Sequence, residues 1–166
     1  MSDLSDRLQR AFEQHRSFEP HSEPPAEPTF ESVTTSFDGV VTADTADNEI
    51  SASITVTAPL LGTVTDDEMA DIVEDGWYET FELRVTDVGK IFRTDREVAP
   101  TVTRDATSVV VEATLTDTNA DRVVDDAGAL IDFVEGTYVQ GIIPGYEYTE
   151  PVDGIIDQAR QAAGSK

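Results

Sequence analysis

The sequence predicts an α+β fold: two strand–strand–helix units forming a four-stranded, mainly antiparallel sheet with helices on one face, plus N- and C-terminal helices. Three observations carry this. Apolar and polar residues alternate with the two-residue period of half-buried strands over 33–41, 50–58 and 109–115. Longer segments with a helical period of about 3.6 follow each strand pair. The order of two strands and then a helix occurs twice, which is the pattern of helices packed against an antiparallel sheet.

Along the chain, residues 2–15 place Leu4, Leu8, Ala11 and Phe12 on one helical face, with Ser2 as a candidate N-cap. The stretch SFEPHSEPPAEPTF follows, and its four prolines within nine residues oppose a helix or a central strand. The expected organisation is therefore an N-terminal helix over 1–16, a proline-rich linker over 17–30 and a single α+β domain over 31–166. The first helix either packs loosely on that domain or docks separately.

Val33, Thr35, Phe37 and Val41 alternate with polar residues, and Ile50, Ala52, Ile54, Val56 and Ala58 do the same after the polar turn DTADN. This predicts a hairpin whose outward face, mostly Ser and Thr, is wet or lightly covered. Thr65 and Glu68 have capping-box spacing and predict a helix from Thr65, with an apolar face of Met69, Ile72, Val73, Trp77, Phe81, Val85 and Val88. Gly89 suits its stop.

A second strand pair is expected around Val98–Val102 and Val109–Leu115. Asn119 then caps a long helix with Val123, Ala127, Leu130, Ile131, Val134, Tyr138 and Ile142 on one face, ended by Pro144. The rival is a helix to about Glu135 followed by a strand over Tyr138–Ile143. Pro151 opens a last helix carrying Val152, Ile155, Ile156, Ala159 and Ala163.

A chain of 166 residues suits one domain able to bury about 70% of its unfolded surface. It has no cysteine, which excludes disulfides, thiolate catalysis and cysteine-ligated zinc. No apolar run approaches the roughly 20 residues of a membrane span, and the polar amphipathic start is unlike a secretory signal. A cytoplasmic protein is expected.

The formal charge is −23, with 34 acidic residues against 11 basic ones, of which nine are arginine. So large an excess self-repels and opposes a compact state, unless salt screens it. The pattern resembles the proteins of organisms that accumulate salt internally. The carboxylates are spread along periodic segments, which argues against disorder. A nucleic-acid partner is not expected, because concentrated salt removes the counterion-release gain.

The runs DGWYETFELRV at Asp75–Val85 and VEGTYVQGIIPGYEY at Val134–Tyr148, with the order of elements, resemble an uncharacterised haloarchaeal family catalogued as a domain of unknown function. The resemblance covers nearly the whole chain and implies a haloarchaeal host. It brings no activity, cofactor or catalytic residue. More loosely, the element order looks like small secretion-chaperone-like or regulatory α+β domains that bind other proteins, although fold does not fix function.

No phosphate loop, dinucleotide fingerprint or nucleophile elbow is present. His15 and His21 lie at a helix end and among prolines, poor supports for a metal or an acid–base pair. Asp117, Asp121, Asp125, Asp126 and Asp132 recur near helical spacing, and a solvated helix face explains them in so acidic a chain. No catalytic, cofactor or metal residue is therefore assigned.

Arg84, Lys90, Arg93, Arg96 and Arg104 form a central basic island able to meet an anion or to pair locally. Tyr138, Tyr146, Tyr148 and Trp77 either cover the core edge or line a pocket or partner surface. The interaction candidates are thus Trp77, Tyr138, Tyr146, Tyr148, Arg93 and Arg96. These readings favour a non-enzymatic binding or adaptor protein, acting on a protein partner or as a homodimer. The alternatives are a small-ligand sensor with a pocket between sheet and helices, and a carboxylate-based enzyme.

Overall fold

A computed structural model describes residues 3–15, 18–20, 29–32, 37–87 and 98–164. The elements are α1 (Asp3–Gln14), β1 (Phe18–Pro20), β2 (Thr29–Ser32), β3 (Asp38–Ala46), β4 (Glu49–Pro59), α2 (Asp71–Val85), β5 (Thr101–Arg104), β6 (Ser108–Asp117), α3 (Ala120–Gly141) and α4 (Val152–Gly164). The α+β class holds, with two hairpins and two following helices. The part of the first strand expected at Val33 and Thr35 lies outside the described residues.

The sheet runs β1-β2-β3-β4-β6-β5 and every neighbouring pair is antiparallel. Four of these strands are the expected hairpins β3–β4 and β5–β6. Of the other two, β1 lies within the segment expected to be a linker and β2 straddles the expected boundary between linker and domain. The linker's prolines do not prevent pairing because β1 and β2 are short and lie at the sheet's margin, where a missing N–H donor is tolerated. Pro20 stands in the outermost strand, opposite Phe30.

The β3–β4 turn is shorter than expected, since Asp44, Thr45 and Ala46 stay in the strand and only Asp47 and Asn48 turn. Both have positive φ, 54° and 64°, the conformation that a two-residue hairpin matched to strand twist requires and that Asp and Asn tolerate.

One face of the sheet holds the core. On β4, Ile50, Ala52, Ile54, Val56 and Ala58 are buried, while Ser51, Thr55 and Thr57 are half-buried and Ser53 is exposed on the opposite face. The helix α3 lies over β4 and β6, flanked by α1 and α2. The first helix is part of this body. Leu8, Ala11 and Phe12 are buried, and Phe12 stacks on Phe30 at 4.3 Å and meets Phe18 edge-on at 5.2 Å.

His15 lies over Gly128 of α3, where a Cβ would stand 3.5 Å from its ring, and its Nε2 is 3.2 Å from Asp125. Asp125 and Asp132 lie on either side of Gly128 along the helix. Burial pushes the Asp132 carboxyl above its ordinary value, opposed by the nearby His15.

Two expected boundaries shift. The helix α2 starts at Asp71, not Thr65, and its N-cap Ala70 makes no side-chain cap bond. Thr65 is engaged elsewhere, for its hydroxyl donates to the Glu147 carbonyl at 2.6 Å and its backbone bridges to Tyr148. Thr149 N–H to Val64 O at 2.7 Å and Glu147 N–H to Asp67 Oδ2 at 2.7 Å complete this tie. The helix also ends earlier than expected, at Val85 with Thr86 as its C-cap, while Val88 and Gly89 lie outside the described residues.

In the second unit, Val98 packs on the core outside a strand, and β5 begins at Thr101. The rival strand at Tyr138–Ile143 does not form, for α3 continues to Gly141. Asn119 caps it as expected, its Oδ1 accepting from Arg122 N–H at 3.0 Å.

Candidate functional site

The helix α2 is apolar on two sides. Trp77, Phe81 and Val85, spaced four apart, are buried. Ile72 and Leu83 are the large hydrophobic side chains left outside, 80% and 73% exposed. Eleven residues separate them, and at about 100° per residue this places them within about 20° of one another on the helix. They form one outward line on α2, opposite Phe81.

Beside this line a groove of about 440 Å³ runs between α2 and the last turns of α3. Its α2 wall is Ile72, Val73, Gly76, Trp77, Thr80, Phe81 and Arg84, and its other wall is Thr137, Gln140, Gly141 and Ile143. Among the described residues no carboxylate lines it, and Arg84 is the one charged group in the lining.

The floor is an aromatic cluster. Trp77 stacks on Phe81 at 5.6 Å and meets Tyr138 edge-on at 5.3 Å, while Phe37 closes on Tyr138 at 4.6 Å. The Trp77 Nε1–H is buried and has no acceptor. A buried unpaired donor costs about 1–3 kcal/mol. The upper end of α2 is anchored by Glu74, whose Oε2 accepts the Gly62 N–H at 2.8 Å.

The predicted interaction residues are only partly brought together. Trp77 does line the groove. Tyr138, read both on the apolar face of the long helix and as an interaction candidate, is fully buried, and its hydroxyl donates to the Pro59 carbonyl at 2.9 Å. The edge of β4 supplies that acceptor, so the ring can enter the core without stranding its polar end. Burial pushes its pKa far above the ordinary tyrosine value.

Tyr146 and Tyr148 neighbour each other at 6.3 Å, and the Tyr148 hydroxyl donates to the Ile143 carbonyl. They do not line this groove. Arg93 and Arg96, with Lys90, lie outside the described residues. Of the rest of the basic island, Arg84 reaches the groove, while Arg104 is held by Asp75 at 2.8 Å and lies 4.6 Å over the Tyr78 ring.

Of the recurrent aspartates, Asp117 and Asp125 are engaged locally. Asp117 clamps Arg122 through two bonds of 2.7 and 2.9 Å, Asp125 meets His15, and Asp126 is buried. Among the described residues no group of three His, Asp or Glu side chains is placed to hold a metal ion. A second cleft, about 400 Å³ between α1 and the start of α3, has both signs in its lining, with Arg7 and Arg10 beside Asp121.

Leu83 was missed by sequence reasoning, and Ile72 was assigned to the core. A signal did exist: Leu83 stands between Glu82 and Arg84 and falls off the Trp77–Phe81–Val85 face. A large aliphatic residue out of phase with the buried stripe is the mark of a second apolar face.

The fold is that of a small α+β protein with a groove between α2 and α3. Residues 13–158 match the family described as "Family of unknown function (DUF5813)", and the chain belongs to it. No curated protein and no solved structure matches the chain. No described helix is long and apolar enough to cross a membrane.

Proposed function

We propose that this chain is a non-enzymatic docking module, working in the salt-rich cytoplasm of a haloarchaeal cell, that binds another protein on the α2–α3 groove. The observation that carries the docking role is the exposure of Ile72 and Leu83, aligned beside a concave surface that no carboxylate lines among the described residues. Burying each such side chain is worth about 1.5–3 kcal/mol, a gain that this fold leaves to a partner. The charge of −23 supports the salt-rich setting, since carboxylates at that density keep a surface hydrated in brine.

The test is quantitative capture from native high-salt lysate with the wild type and with an Ile72→Asp/Leu83→Asp double variant. Both positions are exposed, so the variant should melt at nearly the wild-type temperature. The expected result is one protein held at stoichiometric yield by the wild type and lost by the variant. Equal capture by both proteins would overturn the docking role.

A further inference from the structure

We infer that the occupant of the α2–α3 groove is an amphipathic helix of a different protein, which brings a carboxylate to Arg84; this rests on the docking role just proposed. From Ile72 to Arg84 the wall runs about 18 Å, the length of a helix of roughly 12 residues. Such a helix laid in a groove contacts it through apolar residues spaced three and four apart.

Gly76 lies between the two ends on the exposed side of α2, and a Cβ built there would meet nothing within 4 Å. A partner backbone can therefore approach closely at that point. Ile72 and Leu83 then grip the partner's apolar seam on either side of the crossing.

Charge selects the partner's flank. Arg104 and Arg122 are held by Asp75 and Asp117, whereas none of the ion pairs among the described residues uses Arg84. The Trp77 N–H in the same wall is a second donor without an acceptor. A cation placed on that flank would meet Arg84 with no carboxylate of the described lining to offset it. A carboxylate meets a guanidinium that matches its geometry.

A second copy of this chain is the worse occupant. Pairing two α2 helices about a twofold axis on Ile72 and Leu83 sets Glu79, exposed on the same line, against its own image. In the parallel arrangement the two Glu79 side chains face each other directly. In the antiparallel one they lie about 4.5 Å apart along the axis.

The probe is a displayed library of amphipathic helical peptides with a fixed leucine seam and randomised flanks, selected on the full chain under folding salt conditions. Selected peptides should carry Asp or Glu on one flank, bind Arg84→Glu about tenfold or more weakly, and lose binding to Ile72→Asp/Leu83→Asp. Selection on Arg84→Glu should turn that flank to Lys or Arg. Peptides that need Ile72 and Leu83 but show no such charge switch would overturn the carboxylate while leaving docking intact. Peptides that bind the double variant equally well, or a failure to enrich any peptide, would overturn the helix proposal itself. So would sedimentation of the wild type as a dimer that the double variant dissociates, which would identify a second copy as the occupant.

Discussion

The backbone of Gly141 lies over the indole of Trp77, so that a Cβ at position 141 would stand 3.4 Å from Nε1. The indole N–H is unpaired at that point. Gly141→Ser brings a hydroxyl acceptor next to this donor, while Gly141→Ala adds only the better helix former. Serine is intrinsically the poorer of the two in a helix, so a serine advantage reports the new bond. We expect Gly141→Ser to exceed Gly141→Ala by about 1 kcal/mol in chemical denaturation. The reverse order would mean that the indole N–H is not within reach of position 141.

Asp105 governs acid stability at the β5–β6 turn. Its Oδ1 accepts the Thr107 and Ser108 backbone N–H groups, each at 2.8 Å, and these bonds hold its pKa below the ordinary carboxylate value. A depressed folded pKa gives stability that is present above the unfolded value and is lost as pH falls through the folded one. Asp105→Ala should therefore melt below the wild type at neutral pH. The gap should close as pH drops beneath the unfolded value of 3.8. A gap that is constant with pH would show that the carboxylate charge plays no part in the turn.

Tyr138 joins α3 to the end of β4 through its bond to the Pro59 carbonyl. Tyr138→Phe keeps the ring contacts with Phe37, Trp77 and Phe81 and removes only the hydroxyl. The expected cost is about 0.5–1.5 kcal/mol in denaturant titrations near neutral pH. Because burial raises the folded pKa above 10.0, this advantage should persist below that pH and fall as the solution becomes more alkaline. No stability difference at neutral pH would remove the bond from the account of the fold.

Salt should stabilise the chain. With a net charge of −23, repulsion between carboxylates opposes the compact state. Raising ionic strength from about 0.1 to about 1 M shortens the screening length from about 10 to about 3 Å. Melting temperature followed by circular dichroism should rise steadily over that range in KCl. A flat or falling curve would dissociate the acidic surface from a salt-rich setting.

The pattern of apolar residues made most of the fold legible, because burial on one face imposes a period that neighbouring elements cannot imitate. The β4 alternation and the Val123–Tyr138 face of α3 appear in the structure as read. The departures arose where a residue had a competing use. Thr65 has a capping spacing, yet its hydroxyl serves Glu147, a partner 82 residues away that no local rule exposes. The prolines around β1 and β2 argue against a central strand but say nothing about a marginal one. At the site, Trp77 and Tyr138 were both legible on apolar helix faces, but the acceptor of the Tyr138 hydroxyl, on Pro59, is 79 residues distant and no local rule exposes it. Ile72 fits a helical stripe drawn from Thr65. It falls off the buried face only once Trp77, Phe81 and Val85 define that face.

Gly76 separates stability from binding in one substitution. It lies inside α2, is exposed, and has nothing within 4 Å of where a Cβ would stand. Glycine in a helix interior costs about 0.5–1 kcal/mol relative to alanine, so Gly76→Ala should raise the melting temperature. If a partner helix crosses α2 at this point, the added methyl must also hold the two backbones apart. Gly76→Leu should then weaken the captured protein or the selected peptide much more than Gly76→Ala does, while remaining folded. From Gly to either Ala or Leu, melting temperature should rise while affinity falls. Affinity unchanged across the three would place the crossing elsewhere, even if Ile72 and Leu83 both proved essential.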